Sequence, residues 1–250
     1  MKLKIAATIS TVLIIATGFL IISPVFYRST DAETKQRILL TFGVGDSGES
    51  PAWCKNISSM LNFYDVSATV FIVGKVAEQH PECVTCFSNK VDIGSQTFSD
   101  LNLTSISNYE MQLEEVHKGK LAVDSAGNLY SRLFRAPNGE IDQNIYSLLS
   151  RNDILADFSY NCQYNVYLNN QFMKFEATVC DGSTCSADSI LAQKKSSKPI
   201  IINFESGCPT ELISDFIGTL KIGPFDLVNA SEITELNLTV RGDSQFQLLP

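Results

Sequence analysis

Short apolar runs alternate with longer segments of helical periodicity along most of this chain. The apolar runs have the length and continuity of strands that are covered on both faces. They predict strands at 38–42, 69–73, 91–96, 133–136, 155–158, 199–203 and 225–228. The segments between them predict helices at 53–64, 76–79, 82–88, 108–123, 141–149, 187–193 and 211–220. This alternation predicts an α/β fold with a parallel sheet, and about seven strands in one domain favour a (β/α) barrel over an open sheet.

Residues 160–185 interrupt this alternation. The segment is rich in Asn and Cys, and apolar residues such as Tyr164, Val166, Phe172 and Phe175 recur among polar ones. Such a pattern predicts a Cys-rich hairpin inserted into the barrel.

The first predicted strand ends in a Gly-rich turn, which is the place where an α/β fold usually carries reactive groups. The carboxyl ends of parallel strands meet at one face, so we expect a candidate site there. Its members would be Gly43, Val44, Asp46, Gln96, Asp100, Arg135, Asn161, Phe204 and Glu205. Arg135 follows a buried strand and needs a carboxylate partner, because an unpaired buried charge is costly. The available partners are Asp46, Asp100 and Glu205.

The amino-terminal segment is predicted to lie outside the folded domain. Lys2 and Lys4 precede residues 5–22, an uncharged stretch that would span roughly 27 Å as a helix. It is either a cleaved signal peptide or an uncleaved signal anchor that holds the chain in the membrane. We therefore expect a signal or anchor at 1–27, a linker at 28–36 and one domain at 37–250. Both readings put residues 33–250 outside the cytoplasm, in the secretory pathway. We expect the extracellular face of the plasma membrane or a cell wall, a spore wall included.

Charge and histidine content exclude several function classes. The net charge is −8 and no basic run occurs, which argues against nucleic acid and anionic lipid as partners. The two histidines, His80 and His117, belong to polar helix segments. A His-based catalytic triad or a zinc site with His ligands is therefore not expected.

Seven cysteines in an exported chain indicate disulfides rather than metal ligands. Cys54 and Cys208 each follow a strand end on the same predicted face, so we expect them to pair. Cys162 is expected to bond with Cys180 or Cys185. Cys83-x-x-Cys86 could bind zinc or exchange disulfides, but the absence of a second such pair favours a structural disulfide. The odd count leaves one thiol free or bonded to another molecule.

Sequons at Asn56, Asn102, Asn229 and Asn237 are candidate glycosylation sites.

Several segments in the same order resemble the polysaccharide deacetylases of the NodB-homology type, which include chitin deacetylases. Residues 41–45 are similar to the family's Thr-Phe-Asp-Asp-Gly, and residues 93–100 align with its Ile-Gly-Asn-His-Thr-Tyr-Ser-His. Residues 67–74 match its second strand, residues 134–139 its Arg-x-Pro-x-Gly turn, and residues 200–205 the strand that ends in Leu-His-Asp. The resemblance covers nearly the whole predicted domain and implies a distorted (β/α) barrel.

The resemblance also implies a mechanism whose parts are mostly missing from this chain. Family members hydrolyse acetyl groups with a divalent metal held by one Asp and two His, an Asp base held by an Arg, and a His acid. The corresponding positions here are Gly43 for the base, Val44, Gln96 and Asp100 for the metal, and Phe204 for the acid. The segment that usually supplies Asp and Trp offers Asn161, Tyr164 and Asn165. Arg135 alone is retained, and Asp46 or Asp100 would hold it.

We therefore expect a catalytically inactive, deacetylase-like protein of the cell surface or cell wall, with a glycan-binding or structural role and no zinc or other metal cofactor. Its partner would be a chitin-like polysaccharide. The alternative is an active chitooligosaccharide deacetylase whose site is rebuilt from Asp46, Asp100 and Glu205, with an oxygen-liganded cation. A third interpretation is a receptor or adhesin for a protein partner. The oligomeric state is left open.

Overall fold

A computed structural model of the chain describes residues 35–159, 163–182 and 198–242. These residues belong to a compact unit that begins at Lys35. The predicted signal or anchor at 5–22, the predicted helix at 187–193, and Asn161, Cys162 and Cys185 lie outside the described residues. Over the described ranges, no helix has the length and apolar character needed to cross a bilayer.

The described part of the chain contains twelve strands, and ten of them form one sheet. The strands are β1 (Gln36–Val44), β2 (Ala68–Ile72), β3 (Val91–Ser95), β4 (Leu129–Ser131), β5 (Leu133–Phe134), β6 (Ala156–Asp157), β7 (Gln163–Leu168), β8 (Gln171–Glu176), β9 (Thr178–Asp181), β10 (Ile200–Glu205), β11 (Phe225–Val228) and β12 (Thr239–Arg241). The order across the large sheet is β8-β7-β6-β5-β3-β2-β1-β10-β9, and β11 also pairs with β1. Its pairs are parallel except at the β7–β8 hairpin and its junction with β6. The hairpin and β9 bring the count above the predicted seven strands.

Seven α-helices of the described chain connect or follow these strands. They are α1 (Ser50–Tyr64), α2 (Gly74–Gln79), α3 (Glu82–Thr85), α4 (Tyr109–Gly127), α5 (Gln143–Arg151), α6 (Thr210–Ile222) and α7 (Ala230–Thr234). Side-chain caps fix where three of them start: Asn108 accepts from the Met111 N–H at α4, Asp142 from the Ile145 N–H at α5, and Asn229 from the Glu232 N–H at α7. Such caps satisfy backbone donors that have no partner within the helix.

The large sheet buries both of its faces. Ile38, Leu40, Phe42 and Val44 on β1 pack in one core cluster with residues of α1, α2 and α6, so this is the face toward the helices. Leu39 instead belongs to a cluster that joins residues of β2, β5, β6, β7 and β10. Strands so far apart in the sheet can share one cluster only if the sheet curls on itself. The curled sheet confirms the predicted distorted barrel, and alternate residues of β1 face its interior.

One disulfide is present in the described residues, and it is not the predicted one. Cys54 of α1 bonds Cys83 of α3, with their Cα atoms 5.3 Å apart. The prediction of a Cys54–Cys208 bond is wrong because Cys54 lies inside a helix whose buried face packs against α3. Cys86 carries a free thiol, whose pKa is raised by burial. The predicted bond of Cys162 involves residues outside the described part, or the side chain of Cys180, which is likewise not described.

Breaking this disulfide is expected to lower the free energy of unfolding by about 3 to 4 kcal/mol, because the bond closes a long loop in the unfolded chain. Its two cysteines are 29 residues apart in sequence. The measurement is urea unfolding of Cys83→Ala under oxidising conditions. Cys86→Ala is the matched control, since it leaves the bond intact and should cost less than about 1 kcal/mol. An unchanged midpoint for Cys83→Ala would show that the bond does not constrain the chain.

The structure separates the four sequons into two groups. Asn56 and Asn237 are exposed, so glycosylation there stays a prediction. Asn102 donates from its side-chain amide to Glu140. Asn229 is 8% exposed, and its Nδ2 donates to the Lys90 carbonyl while Oδ1 accepts from the Glu232 N–H. This fold therefore leaves no room for a glycan on Asn229.

Candidate functional site

A pocket of about 230 Å³ opens where the carboxyl ends of β1, β3, β5 and β10 meet. It is lined by Gly45, Gln96, Asp100, Arg135, Ala136, Pro137, Asn138, Glu205 and Ser206. The structure thus brings together four of the residues that the sequence analysis assigned to this face: Gln96, Asp100, Arg135 and Glu205. The sequence analysis missed Asn138, which lies within the segment 134–139, and Ser206, which directly follows the segment 200–205.

Arg135 is held by Glu205. Its side chain is 1% exposed, and Nη2 donates to Oε1 and Oε2 of Glu205 at 2.9 and 3.2 Å. The guanidinium also lies over the ring of Phe71, with 5.0 Å between Cζ and the ring centroid. Asp46 is bonded elsewhere, because Lys75 Nζ donates to its Oδ2 at 2.6 Å. The expectation that Asp46 or Asp100 would hold Arg135 is therefore wrong.

Gly43 makes room for this ion pair. It is the register partner of Glu205 on the neighbouring parallel strand. A Cβ atom added to Gly43 would lie 2.0 Å from Nη2 of Arg135 and 2.0 Å from Oε2 of Glu205. The Glu205 carboxylate therefore occupies the space of a side chain at position 43. The carboxylate that the resemblance places on β1 is supplied here from β10.

Val44 and Phe204 do not line the pocket. Both are fully buried in the core cluster between the sheet and the helices. The Phe204 ring stacks on Phe42 at a centroid distance of 5.5 Å and meets Phe216 edge-on at 5.6 Å. The prediction that these two residues belong to the candidate site is therefore wrong, because their side chains point to the other face of the sheet. Residues two apart on a strand share a face, so Glu205 rather than Phe204 belongs to the pocket side.

Asp100 stands at the mouth of the pocket in a left-handed backbone conformation, with φ of +60°. Partial burial of the carboxyl group raises its pKa, and the carboxylates of Glu205 and Asp46 raise it further, against the opposing effect of Arg135. The side chain has no ion pair with any residue of the described part. In the described part of the chain, three carboxylates (Asp46, Asp100 and Glu205) thus stand against two cations (Lys75 and Arg135) around the pocket.

The side chains of this pocket do not fit the family's metal. Across 35–159, 163–182 and 198–242, no three His, Cys, Asp or Glu side chains converge so as to hold a metal ion. Gln96 offers an amide where the resemblance places imidazole, and an amide is a poor zinc ligand. The Glu205 carboxylate is bonded to Arg135, and Val44 faces the helices. The donor set therefore departs from one Asp and two His at every position.

A fully buried acid, Asp157, supports the backbone beside Arg135. It is completely buried on β6 and accepts from the Ser159 N–H and hydroxyl at 3.0 and 2.5 Å. Asn165 of the hairpin and Tyr146 of α5 also donate to it, each at 3.3 Å. The Ser159 hydroxyl oxygen in turn accepts from the Ala136 N–H. Burial raises the pKa of Asp157 from 3.8 to about 6.

The raised pKa of Asp157 predicts a specific pH dependence of stability. The folded chain holds this proton more tightly than the unfolded chain, so the stabilisation is complete at low pH and is lost as the pH rises through the folded pKa of about 6. The expected loss from this group is on the order of 2 to 3 kcal/mol between about pH 4 and about pH 7. Urea unfolding across that range should therefore give a steeper pH profile for the wild type than for Asp157→Asn. The exposed Asp226→Asn is the control, and parallel profiles for wild type and Asp157→Asn would contradict the assignment.

Comparison with known proteins links this fold and sequence to one family. A family profile for polysaccharide deacetylases matches residues 30–156, half of the chain. The peptidoglycan-N-acetylglucosamine deacetylase of Bacillus cereus is 28% identical over 119 residues, which are 47% of this chain and 42% of that protein. The matched region therefore spans less than half the length of that curated relative.

Solved structures share the fold. The peptidoglycan deacetylase PdaC from Bacillus subtilis superposes with a TM-score of 0.60 at 19% identity, over 81% of this chain and 91% of that one. A CE4 family pseudoenzyme from Bacillus anthracis gives a TM-score of 0.60 at 16% identity, over 80% of this chain and 65% of that one. A mutant of that pseudoenzyme with restored enzymatic activity superposes equally well, with a TM-score of 0.60 at 17% identity over 80% and 67%.

Proposed function

The chain belongs to the polysaccharide deacetylase family, and we propose that it binds an amino-sugar polysaccharide of the chitin or peptidoglycan type without hydrolysing its acetyl groups by the family's metal-dependent reaction. The observation that carries this proposal is the Arg135–Glu205 ion pair, which fills the space of a side chain at Gly43. The group that the family uses as a base is replaced by a carboxylate already bonded to a buried guanidinium. The positions at which the resemblance places the metal ligands carry Val44, Gln96 and Asp100, so the ligand set that would activate a water molecule is not kept.

A polysaccharide is the ligand class that the family and the pocket support together. The curated relative acts, by its name, on N-acetylglucosamine of peptidoglycan. The pocket keeps polar side chains suited to sugar hydroxyls, among them Gln96, Asn138 and Ser206. Loss of activity within this fold also has a precedent in the Bacillus anthracis pseudoenzyme.

We further propose that the protein acts outside the cytoplasm, at a cell surface or in a cell wall. The Cys54–Cys83 disulfide supports this location, because such bonds persist in oxidising compartments. The uncharged stretch at 5–22 supports it from the sequence side.

The alternative function, a deacetylase rebuilt from Asp46, Asp100 and Glu205, receives less support from the geometry. Lys75 holds Asp46, and Arg135 holds Glu205. Asp100 alone of the three has no ion pair in the described part of the chain. One carboxylate without a second acid or base is a poor basis for hydrolysis.

Two measurements on the purified protein separate these functions. Acetate release from N-acetylglucosamine oligomers and from peptidoglycan fragments is expected to equal the enzyme-free blank, with zinc far below one ion per chain. Calorimetric titration with the same glycans is expected to show binding. Stoichiometric zinc, or turnover that Asp100→Ala abolishes, would overturn the inactive assignment.

A further inference from the structure

Two polar side chains at the pocket have no partner within the described part of the chain. Gln96 is 4% exposed and follows β3 on the pocket side, yet its side-chain amide makes no hydrogen bond to any described residue. The Asp100 carboxylate has no ion pair there either. The Gln96 amide opens onto the pocket, so its oxygen is available to a ligand or to solvent. Asp100 can only accept when it is ionised and Gln96 can accept through its oxygen, so a ligand that donates hydrogen bonds can use both groups.

The charges around the pocket indicate which charge that ligand should carry. Arg135 and Lys75 are the cations in contact with the site's carboxylates, and they are bonded to Glu205 and Asp46. Among the described residues, Asp100 has no cationic partner, and the three carboxylates around the pocket outnumber the two cations. A cation can reduce this repulsion, whereas an anion or a carbonyl oxygen would increase it.

An ammonium group satisfies these acceptors better than an acetamide group does. It carries three N–H donors and a positive charge, and hydrogen bonds between charged partners are the strong ones. Asp100 and the Gln96 carbonyl oxygen are acceptors around the same pocket. An acetamide would offer one N–H and would bring a carbonyl oxygen and a methyl group toward carboxylates. The pocket volume of about 230 Å³ suits one small polar group rather than an extended chain.

We infer that this pocket binds the free ammonium group of a de-N-acetylated amino sugar, so that the protein recognises polysaccharide from which acetyl groups have already been removed. This inference rests on the proposed function and specifies its ligand. Asp100 supplies the charge and Gln96 a fixed acceptor, while Arg135 keeps Glu205 at the pocket wall. The reaction that supplies such a ligand is hydrolysis of an N-acetyl group elsewhere, since the inference assigns no such step to this chain.

The test compares two oligomers that differ only in acetylation. The full chain is titrated calorimetrically with a β-1,4-linked glucosamine oligomer and with its fully N-acetylated counterpart. The pH is mildly acidic, so that the amines are charged. The wild type is expected to bind the glucosamine oligomer at least about tenfold more tightly. Asp100→Asn should abolish most of that preference and still fold, because Asn tolerates the left-handed conformation of this position. Gln96→Met keeps the side-chain volume and should weaken binding several-fold.

A control variant separates specific recognition from the general attraction of a polycation to an acidic protein. Asp226 is exposed on β11, beside the amino-terminal half of β1 and so at the opposite end of the sheet from the pocket. Asp226→Asn removes the same charge as Asp100→Asn and should leave the preference unchanged. Equal weakening by both variants would overturn the ammonium site. Equal or tighter binding of the acetylated oligomer would overturn it as well, but would leave the proposed glycan-binding function standing. Binding of neither oligomer would overturn both.

Discussion

Alanine at position 43 is expected to lower the free energy of unfolding by roughly 2 to 4 kcal/mol, whereas aspartate at the same position should cost less than half of that. Even a methyl group at Gly43 would lie 2.0 Å from atoms of both Arg135 and Glu205 and so separates the pair. Alanine provides no carboxylate to replace Glu205 as the partner of the buried Arg135. Aspartate brings its own carboxylate to the guanidinium, and Glu205, whose side chain is 54% exposed, can turn into water.

A double-mutant cycle tests whether the carboxylates of positions 43 and 205 are interchangeable. Glu205→Ala alone should lower the free energy of unfolding by roughly 2 to 3 kcal/mol, less than for a fully buried pair because Glu205 is half-exposed. The double variant Gly43→Asp with Glu205→Ala should recover more than half of that loss, which urea unfolding of the four proteins measures.

Gly48 provides the matched control for this cycle, since a Cβ added there meets no atom within 4 Å. Gly48→Ala and Gly48→Asp should therefore change stability by less than about 0.5 kcal/mol. Equal losses for alanine and aspartate at position 43, or strictly additive effects in the double variant, would show that a carboxylate at position 43 cannot replace Glu205 as the partner of Arg135.

The strands and helices were predictable because each is encoded locally. The run 38–42 lies inside β1, and the periodic segment 108–123 starts at the N-cap of α4, which extends to Gly127 before Asn128 ends it in a left-handed conformation. Errors at their ends reflect caps and turns, which periodicity does not report. The β7–β8 hairpin at 163–176 lies within the segment 160–185, whose alternating residues predict a Cys-rich hairpin, and the hairpin itself contains no cysteine.

The candidate site was predictable in position but not in side-chain direction. Strand ends converge in any parallel barrel, so the face itself follows from the order of the elements. Which residues turn into the pocket depends on strand parity, and a shift of one residue exchanges the two faces. This is why the predicted site includes Phe204 beside Glu205, although only Glu205 lines the pocket. The alternation of Ile201, Asn203 and Glu205 was the available signal.

Partners that come from distant segments could not be derived from local patterns. The choice of Glu205 by Arg135 depends on the register of β10 against β1. The Cys54–Cys83 bond depends on how α1 packs against α3, and the burial of Asp157 on the meeting of α5 with the hairpin. Each of these facts requires the packed structure, because the residues involved give no sign of one another in the sequence.

Truncation of Phe204 is expected to cost about 3 to 5 kcal/mol, which is typical of removing a fully buried aromatic ring. The ring fills the space between Phe42 and Phe216, and a Cβ at Gly182 would already lie 2.2 Å from it. Phe204→Leu keeps most of the apolar volume and should cost less than about 2 kcal/mol. It therefore separates the effect of the lost volume from that of the lost aromatic ring. Urea unfolding of Phe204→Ala and Phe204→Leu measures both.

Phe204→His installs the residue that the family resemblance places at this position, and it should destabilise the protein by roughly 2 to 4 kcal/mol. Its imidazole would lie among aromatic rings on the helix side of the sheet, with its polar atoms away from the pocket. We therefore expect no gain in zinc binding or acetate release from this variant. A stable Phe204→His protein that retains zinc would instead mean that β10 is shifted by one residue and turns position 204 into the pocket. Because that shift would also turn Glu205 away from Arg135, Glu205→Ala would then leave the stability unchanged, so the two variants together decide the register of β10.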